Sequence, residues 1–174
     1  SVAVANGFAY VADANNHFFA IDATIPSAPA LASSLVLTHG IGQSVVLNGT
    51  IAYVPALDAG LLVLNIANPS ATAVLRALPA PARGESVGAA LAGARLFVAN
   101  SFAGFQILDV TAPGSPVAQS DWPVAARACD VAIHNSIACV AAGENGLRLY
   151  TIADPASPTW IGWLTNALNA RCVA

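Results

Sequence analysis

One stretch of this 174-residue chain spells a nucleophile motif. Gly84-Glu85-Ser86-Val87-Gly88 fits Gly-x-Ser-x-Gly, in which a sharp strand-to-helix turn lifts a strained serine above a sheet for acyl transfer. That chemistry needs the helix, and the residues that follow, Val87 to Leu91, read as a strand instead. A hydrolase is therefore the remote reading, and no residue is assigned a catalytic role. His17, His39, His134 and Cys129, Cys139, Cys172 show neither Cys-x-x-Cys nor His-x-x-x-His spacing, so neither metal nor cofactor is expected. His134 falls in a hairpin, and Cys139 reads as a small buried hydrophobe. Three cysteines permit one disulfide and leave one thiol over, which does not fix the compartment.

Composition narrows the class further. Hydrophobic residues make up 56% of the chain and charged residues 9%, against a usual quarter. All six basic residues are Arg, and the net charge is only -3, with no basic cluster of the kind that grips nucleic acid. No apolar run reaches the ~18 residues of a membrane-spanning helix. Apolar residues instead come in short bursts broken by Gly, Pro, Asn and Asp, the rhythm of an all-β chain. So weakly charged a surface favours association, and partner subunits or self-assembly are expected to cover part of it. Starting at Ser1 inside an apparent strand, the sequence reads as a processed or trimmed product. Asn48-Gly49-Thr50 fits the glycosylation sequon, a three-residue match common by chance.

The elements that must position any site come from a repeat. Gly60-Leu61-Leu62-Val63-Leu64-Asn65-Ile66-Ala67-Asn68-Pro69 recurs as His17 to Pro26, Gly104 to Pro113 and Gly146 to Pro155. Each copy follows a hairpin with turns at Asn6-Gly7, Asn48-Gly49, Gly93 and Asn135-Ser136, and precedes an outer strand introduced by prolines. Tyr10, Tyr53, Phe97 and Cys139 are equivalent, spaced by 43, 44 and 42 residues. Four strands per 40–45 residues is the signature of a β-propeller blade. The chain is expected to form one all-β domain over 1–174, a propeller of four blades with four antiparallel strands each. The repeats run over about 1–43, 44–85, 86–128 and 129–174. A right-handed β-helix is the structural rival, but its coils are shorter and lack these hairpins.

Gly-Leu-x-Val-x-Asp/Asn, then Asp/Asn-Pro-x-x-Pro, then a hairpin ending in Ala-Tyr-Val-Ala resembles the LVIVD repeat. The resemblance spans essentially the whole chain and implies a secreted or cell-surface propeller of bacteria or archaea, with no reaction attached. His17 stands where the repeat has Gly, and Thr151 where it has an acid, so the first and fourth copies depart from the pattern.

Closure and surface complete the reading. Val173 aligns with Val131, Val87 and Val45, and from Cys139 through the C-terminus to Tyr10 is about one more repeat. The ends are therefore expected to close the ring within one blade, with a segment of a larger propeller as the other reading. Cys129 and Cys172 fall at near-equivalent points of adjacent inner strands, where a disulfide is one option. The links between blades share one face with the loops joining second to third strands. That face collects Asp13, Asn15, Asn16, His17, His39, Asp58, Asn100 and Glu144. Around its axis it carries Arg83, Glu85, Arg127, Asp130 and Arg171, either a ligand or partner site or ion pairs and loop hydrogen bonds that hold neighbouring blades. Ser86 takes the place of Ser44, Asp130 and Cys172 at the start of an inner strand. Trp122, Trp160 and Trp163 all fall in outer strands, as partner anchors or as packing against the next blade. The function expected is a non-enzymatic scaffold or interaction module. It would be a subunit of a larger extracellular or cell-surface assembly, with protein partners and no nucleic acid. The alternative is a small-ligand or sugar-binding propeller using the polar axial face.

Overall fold

A computed structural model describes residues 1–37, 40, 42–124, 126–165 and 169–173. Sixteen strands form four antiparallel sheets, each drawn from one repeat. Blade 1 holds β1 (Val2–Ala5), β2 (Phe8–Ala12), β3 (His17–Asp22) and β4 (Ala30–Val36). Blade 2 holds β5 (Val46–Asn48), β6 (Ile51–Pro55), β7 (Leu61–Asn65) and β8 (Ala73–Leu78). Blade 3 holds β9 (Gly88–Ala92), β10 (Arg95–Ala99), β11 (Phe105–Asp109) and β12 (Val117–Trp122). Blade 4 holds β13 (Asp130–His134), β14 (Ile137–Ala141), β15 (Leu147–Thr151) and β16 (Thr159–Leu164). In each sheet the strands pair in chain order, the four-bladed β-propeller plan expected of the repeats.

Local chemistry sets the blade. In the first hairpin Asn6 and Gly7 take left-handed backbone, φ 51° and 79°, matching the twist of the flanking strands. Before the third strand, Gly104 sits at φ 88°, where an added Cβ would overlap the carbonyl oxygen of Trp122. Gly60 and Gly146 are placed the same way. His17 occupies that position in blade 1, and the left-handed residue there is Asn16, φ 64°. Asp13 Oδ1 accepts the amides of His17 (2.8 Å) and Asn15 (2.9 Å), which stabilises the altered loop. At the end of the third strand, Asp22, Asn65 and Asp109 accept the amide two residues on, from Thr24 (2.9 Å), Ala67 (2.9 Å) and Thr111 (2.7 Å). Thr151, the departure from the pattern, does so at 3.4 Å through its hydroxyl. A bulge follows at the same place in all four blades, beside Ala20, Val63, Ile107 and Leu149.

The core lies in the seams between blades. Tyr10, Ala12, Phe18 and Ala20 of blade 1 pack on Ala52, Val54, Leu62 and Leu64 of blade 2. Ile51, Tyr53, Leu61 and Val63 of blade 2 face Leu96, Val98, Leu108 and Val110 of blade 3. Phe97, Ala99, Phe105 and Ile107 of blade 3 face Ala138, Val140, Tyr150 and Ile152 of blade 4. Each large side chain buried this way contributes about 1.5–3 kcal/mol. A hydrogen bond to a proline carbonyl of the next blade's turn secures every one of these seams. Ser33 Oγ donates to Pro69 O (2.6 Å), Tyr53 Oη to Pro113 O (2.9 Å) and Ser120 Oγ to Pro155 O (3.0 Å).

Among the described residues, the facing sides of blades 4 and 1 are less buried than those of the other three seams. Ile137 is 36% exposed where its equivalent Ile51 is 7% exposed. Leu164 is 49% exposed, while Leu35, Leu78 and Trp122 at the same position are half-buried against their seams. On blade 1 the side chains of Ala9, Val11, Phe19 and Ile21 stay partly open, although the equivalent Ala52, Val54, Leu62 and Leu64 are buried. Ser1 pairs with Ala12 through its own amine and carbonyl. The tail is held by blade 4 instead, with Ala170 bridged to Gly143 and the Val173 amide donating to Asp130 Oδ2 (3.1 Å).

These constraints predict opposite outcomes at two glycines. Gly104→Ala adds a left-handed backbone penalty of about 1–2 kcal/mol to overpacking of about 1–3 kcal/mol, so roughly 2–5 kcal/mol is lost. Gly162→Ala meets nothing within 4 Å and leaves stability within about 0.5 kcal/mol of the parent. Urea denaturation of the two variants measures both.

Candidate functional site

The inner strands β1, β5, β9 and β13 all begin at one mouth of the axis. A cleft of about 880 Å³ opens there, with Ser1, Ser44, Val87 and Asp130 contributed by the four blades in turn. Phe102, Arg127, Glu144, Arg171 and Cys172 complete its rim. Of the expected axial residues, the structure brings Arg127, Asp130 and Arg171 together. Arg83 and Glu85 stand outside the cleft on an exposed link, Arg83 in left-handed backbone with φ 65°. His39 lies outside the described residues. His17 leaves the axis altogether: it stacks on Phe19 at 5.5 Å, on the open face of blade 1.

The arginines are aimed rather than paired. Among the described residues, no Arg lies within 4.0 Å of a carboxylate; the ion pair found is His17 Nδ1 to Asp13 Oδ1 at 3.7 Å. Arg127 donates through Nε to Ser101 Oγ (3.3 Å), and its guanidinium lies 5.9 Å from the centre of the exposed Phe102 ring. Arg171 donates to Asn169 Oδ1 at 3.1 Å. Loop hydrogen bonds, rather than ion pairs, are what these arginines make within the protein. A cation flanked by an aromatic face at an open mouth could receive an anionic or planar group.

Asp130 has a structural task. Its Oδ1 accepts the Val131 amide (2.9 Å) and its Oδ2 the Val173 amide (3.1 Å), which ties β13 to the tail. On its other side it fills the space where a Cβ on Gly88 would sit. Asp130 also accepts the Cys172 thiol proton, and this bond, with the carboxylate charge behind it, raises the thiol above its ordinary range. Asp130 and Cys172 as neighbours were not foreseen as a pair, though their equivalent places in the repeat were a signal for it.

The register also corrects one alignment. Identical two-residue hairpin loops place Ala90 level with Val46 and Ala132, so the equivalents of Asp130 are Gly88 and Ser44. Ser86 lies two residues earlier, level with Ala128, where each bridges back to the preceding blade. It is 2% exposed, donates to Asn100 Oδ1 (2.7 Å) and leads into β9, so the strand-turn-helix geometry of a nucleophile elbow is missing at this serine. All three cysteines are free, so the Cys129–Cys172 option is not taken up; Cys129 Sγ donates to Arg127 O at 3.6 Å.

The tryptophans divide. Trp122 packs on the core between blades 3 and 4. Trp160 and Trp163 remain 53% and 59% exposed, edge to face at 6.0 Å, with the Arg148 guanidinium 5.5 Å from the Trp163 ring.

Strand count, pairing order and an axial mouth shared by four sheets define a four-bladed β-propeller. LVIVD repeats match over residues 1–36, 39–75, 84–121 and 125–165, and the chain belongs to the LVIVD repeat family. None of the curated proteins matches the sequence. Among solved structures, the computationally designed Ika8 protein superposes over 97% of this chain and 49% of its own, with TM-score 0.70 and 11% identity. The present chain thus spans about half of Ika8. The designed Ika4 protein superposes over 86% of this chain and 88% of its own, with TM-score 0.64 and 13% identity. A chain from an S. cerevisiae complex of dbp5 with nup159 and gle1 covers 92% of this chain and 46% of its own, with TM-score 0.64 and 11% identity. At these identities the likeness is one of fold alone. No helix among the described residues is long and apolar enough to cross a membrane.

Removing the Asp130 charge is a direct check on the mouth. Asp130→Asn should lower the Cys172 pKa, so that more thiolate is present at pH 8 and iodoacetamide alkylates Cys172 faster than in the parent. Peptide mapping by mass spectrometry follows the site, and an unchanged rate would dissociate the two residues.

Proposed function

We propose that this protein is a non-enzymatic propeller scaffold that works through protein contact, as a subunit of an assembly outside the cytoplasm. One observation carries the reading: the outward faces of blades 1 and 4 are built of seam-type apolar residues that, among the described residues, stay partly open. Val4 is 70% exposed and belongs, by register, to the same face as Ala9, Ile21 and Leu31. Uncovered sheet faces of this kind mark interaction sites. The exposed Trp160–Trp163 pair offers a second anchor on the rim. The extracellular or cell-surface setting is supported by the resemblance of the repeats to those of secreted propellers.

A second reading has its own support. Phe102, Arg127 and Arg171 line the axial cleft beside Asp130 and Glu144, and among the described residues neither arginine has a carboxylate within 4.0 Å, which suits a small anionic ligand or a sugar.

Light scattering behind size exclusion separates the two. The scaffold reading expects a mass above the 17.5 kDa of one chain at roughly 100 µM, where a micromolar interface is saturated. A strictly monomeric protein would overturn it. If such a protein is also stabilised against heat by a monosaccharide or small carboxylate, and Arg127→Ala abolishes that shift, the axial reading takes its place.

A further inference from the structure

Resting on the scaffold reading, we infer that the partner is a second copy of this chain. The open face of blade 4 docks on the open face of blade 1 of the other copy, and the reciprocal contact closes a two-chain ring.

The internal seams specify how faces combine. In all three, the face holding Tyr10, Tyr53 or Phe97 packs on the following blade's face holding Val54, Val98 or Val140. Blade 4 presents the first type, through Cys139, Leu147, Leu149 and Leu164. Blade 1 presents the second type, through Val11, Phe19 and Ile21. The two open faces are therefore the two halves of one more seam of the same kind.

Among the described residues these halves do not seal within one chain, since side chains that are buried in blades 1 to 3 or 2 to 4 remain partly open there. The new seam would rest on apolar burial alone. Cys139 stands where Tyr53 reaches a proline carbonyl, and Gly162 where Ser33 and Ser120 do. Docking is consequently reversible and concentration-dependent.

Sedimentation equilibrium on the parent should give twice 17.5 kDa, falling to one copy on dilution. Leu149→Glu and Val11→Arg, one on each face, should each give a monomer with the far-UV circular dichroism of the parent. Mixed in equal amounts they should recover the double mass. The mixed ring has one parental seam and one in which Glu meets Arg. A two-copy species that neither substitution disturbs would overturn this docking while leaving the assembly reading intact, as would any larger defined oligomer. A monomer at every concentration would overturn both. Should either variant fail to fold, the native thiol provides the readout. With Cys129 and Cys172 replaced by Ser, alkylation of Cys139 should slow as protein concentration rises, and a concentration-independent rate would overturn the docking.

Discussion

A blade of this protein has two apolar faces, and each must be covered by another blade. Everything else follows from that requirement. A sheet with one solvated face alternates polar and apolar residues, whereas a sheet covered on both sides reads as a nearly continuous apolar run. β6 and β10 are buried along almost their whole length, with Ile51, Ala52, Tyr53 and Val54 in one and Leu96, Phe97 and Val98 in the other. A single blade could not exist alone in water. Neighbours supply what it lacks, as in other repeat architectures where stability resides in the interfaces.

The repeat motif is the sequence record of that arrangement. Its glycine is required where the chain enters the third strand with left-handed backbone and passes against the outer strand's last carbonyl. Its acid accepts the amide two residues on and turns the chain sharply out of the strand, and the hydrogen bonds from Thr24 and Thr111, side chain first, hold Asp22 and Asp109 below the usual carboxylate range. Its proline ends the pairing and leaves a carbonyl free, and that carbonyl receives the hydroxyl of the preceding blade. Turn, strand end and seam are thus fixed by a handful of residues, which is why such motifs recur without any catalytic meaning. Where His17 replaces the glycine, the backbone strain moves to Asn16 and Asp13 compensates.

This explains how much could be read beforehand. Period, strand number, pairing order and hairpin turns were legible because they depend on local chemistry: Asn-Gly pairs, strand-period hydrophobicity and prolines. The axial mouth was legible in part. Arg127, Asp130 and Arg171 follow from the repeat, since the link between blades always enters at that end. Arg83 and Glu85 do not, because the same link is long enough to carry them outward, and sequence periodicity says nothing of where an exposed loop points. Matching Val87 to Val45 rather than Ala89 misplaced Ser86 by two residues, since a valine in either position looks equally strand-like and only cross-strand pairing distinguishes them. Ring closure was the least legible feature. It depends on the angle between blades, a sum of many side-chain volumes, and the repeat length is the same whether the arc closes or stays open.

Composition bears on that last point. Along the uncovered face of blade 1 the cross-strand neighbours are Val2, Val11 and Phe19 in one row and Val4, Ala9, Ile21 and Leu31 in the next. Only His17 and Ser34 interrupt the apolar character at its edges. A face selected for contact with water would show the polar alternation of an open antiparallel sheet. This one carries the same residue types as the faces buried inside the molecule, and the low charge of the whole chain follows the same rule. The faces of the first and last blades are thus made of the same residue types as the faces that pack between blades inside the molecule.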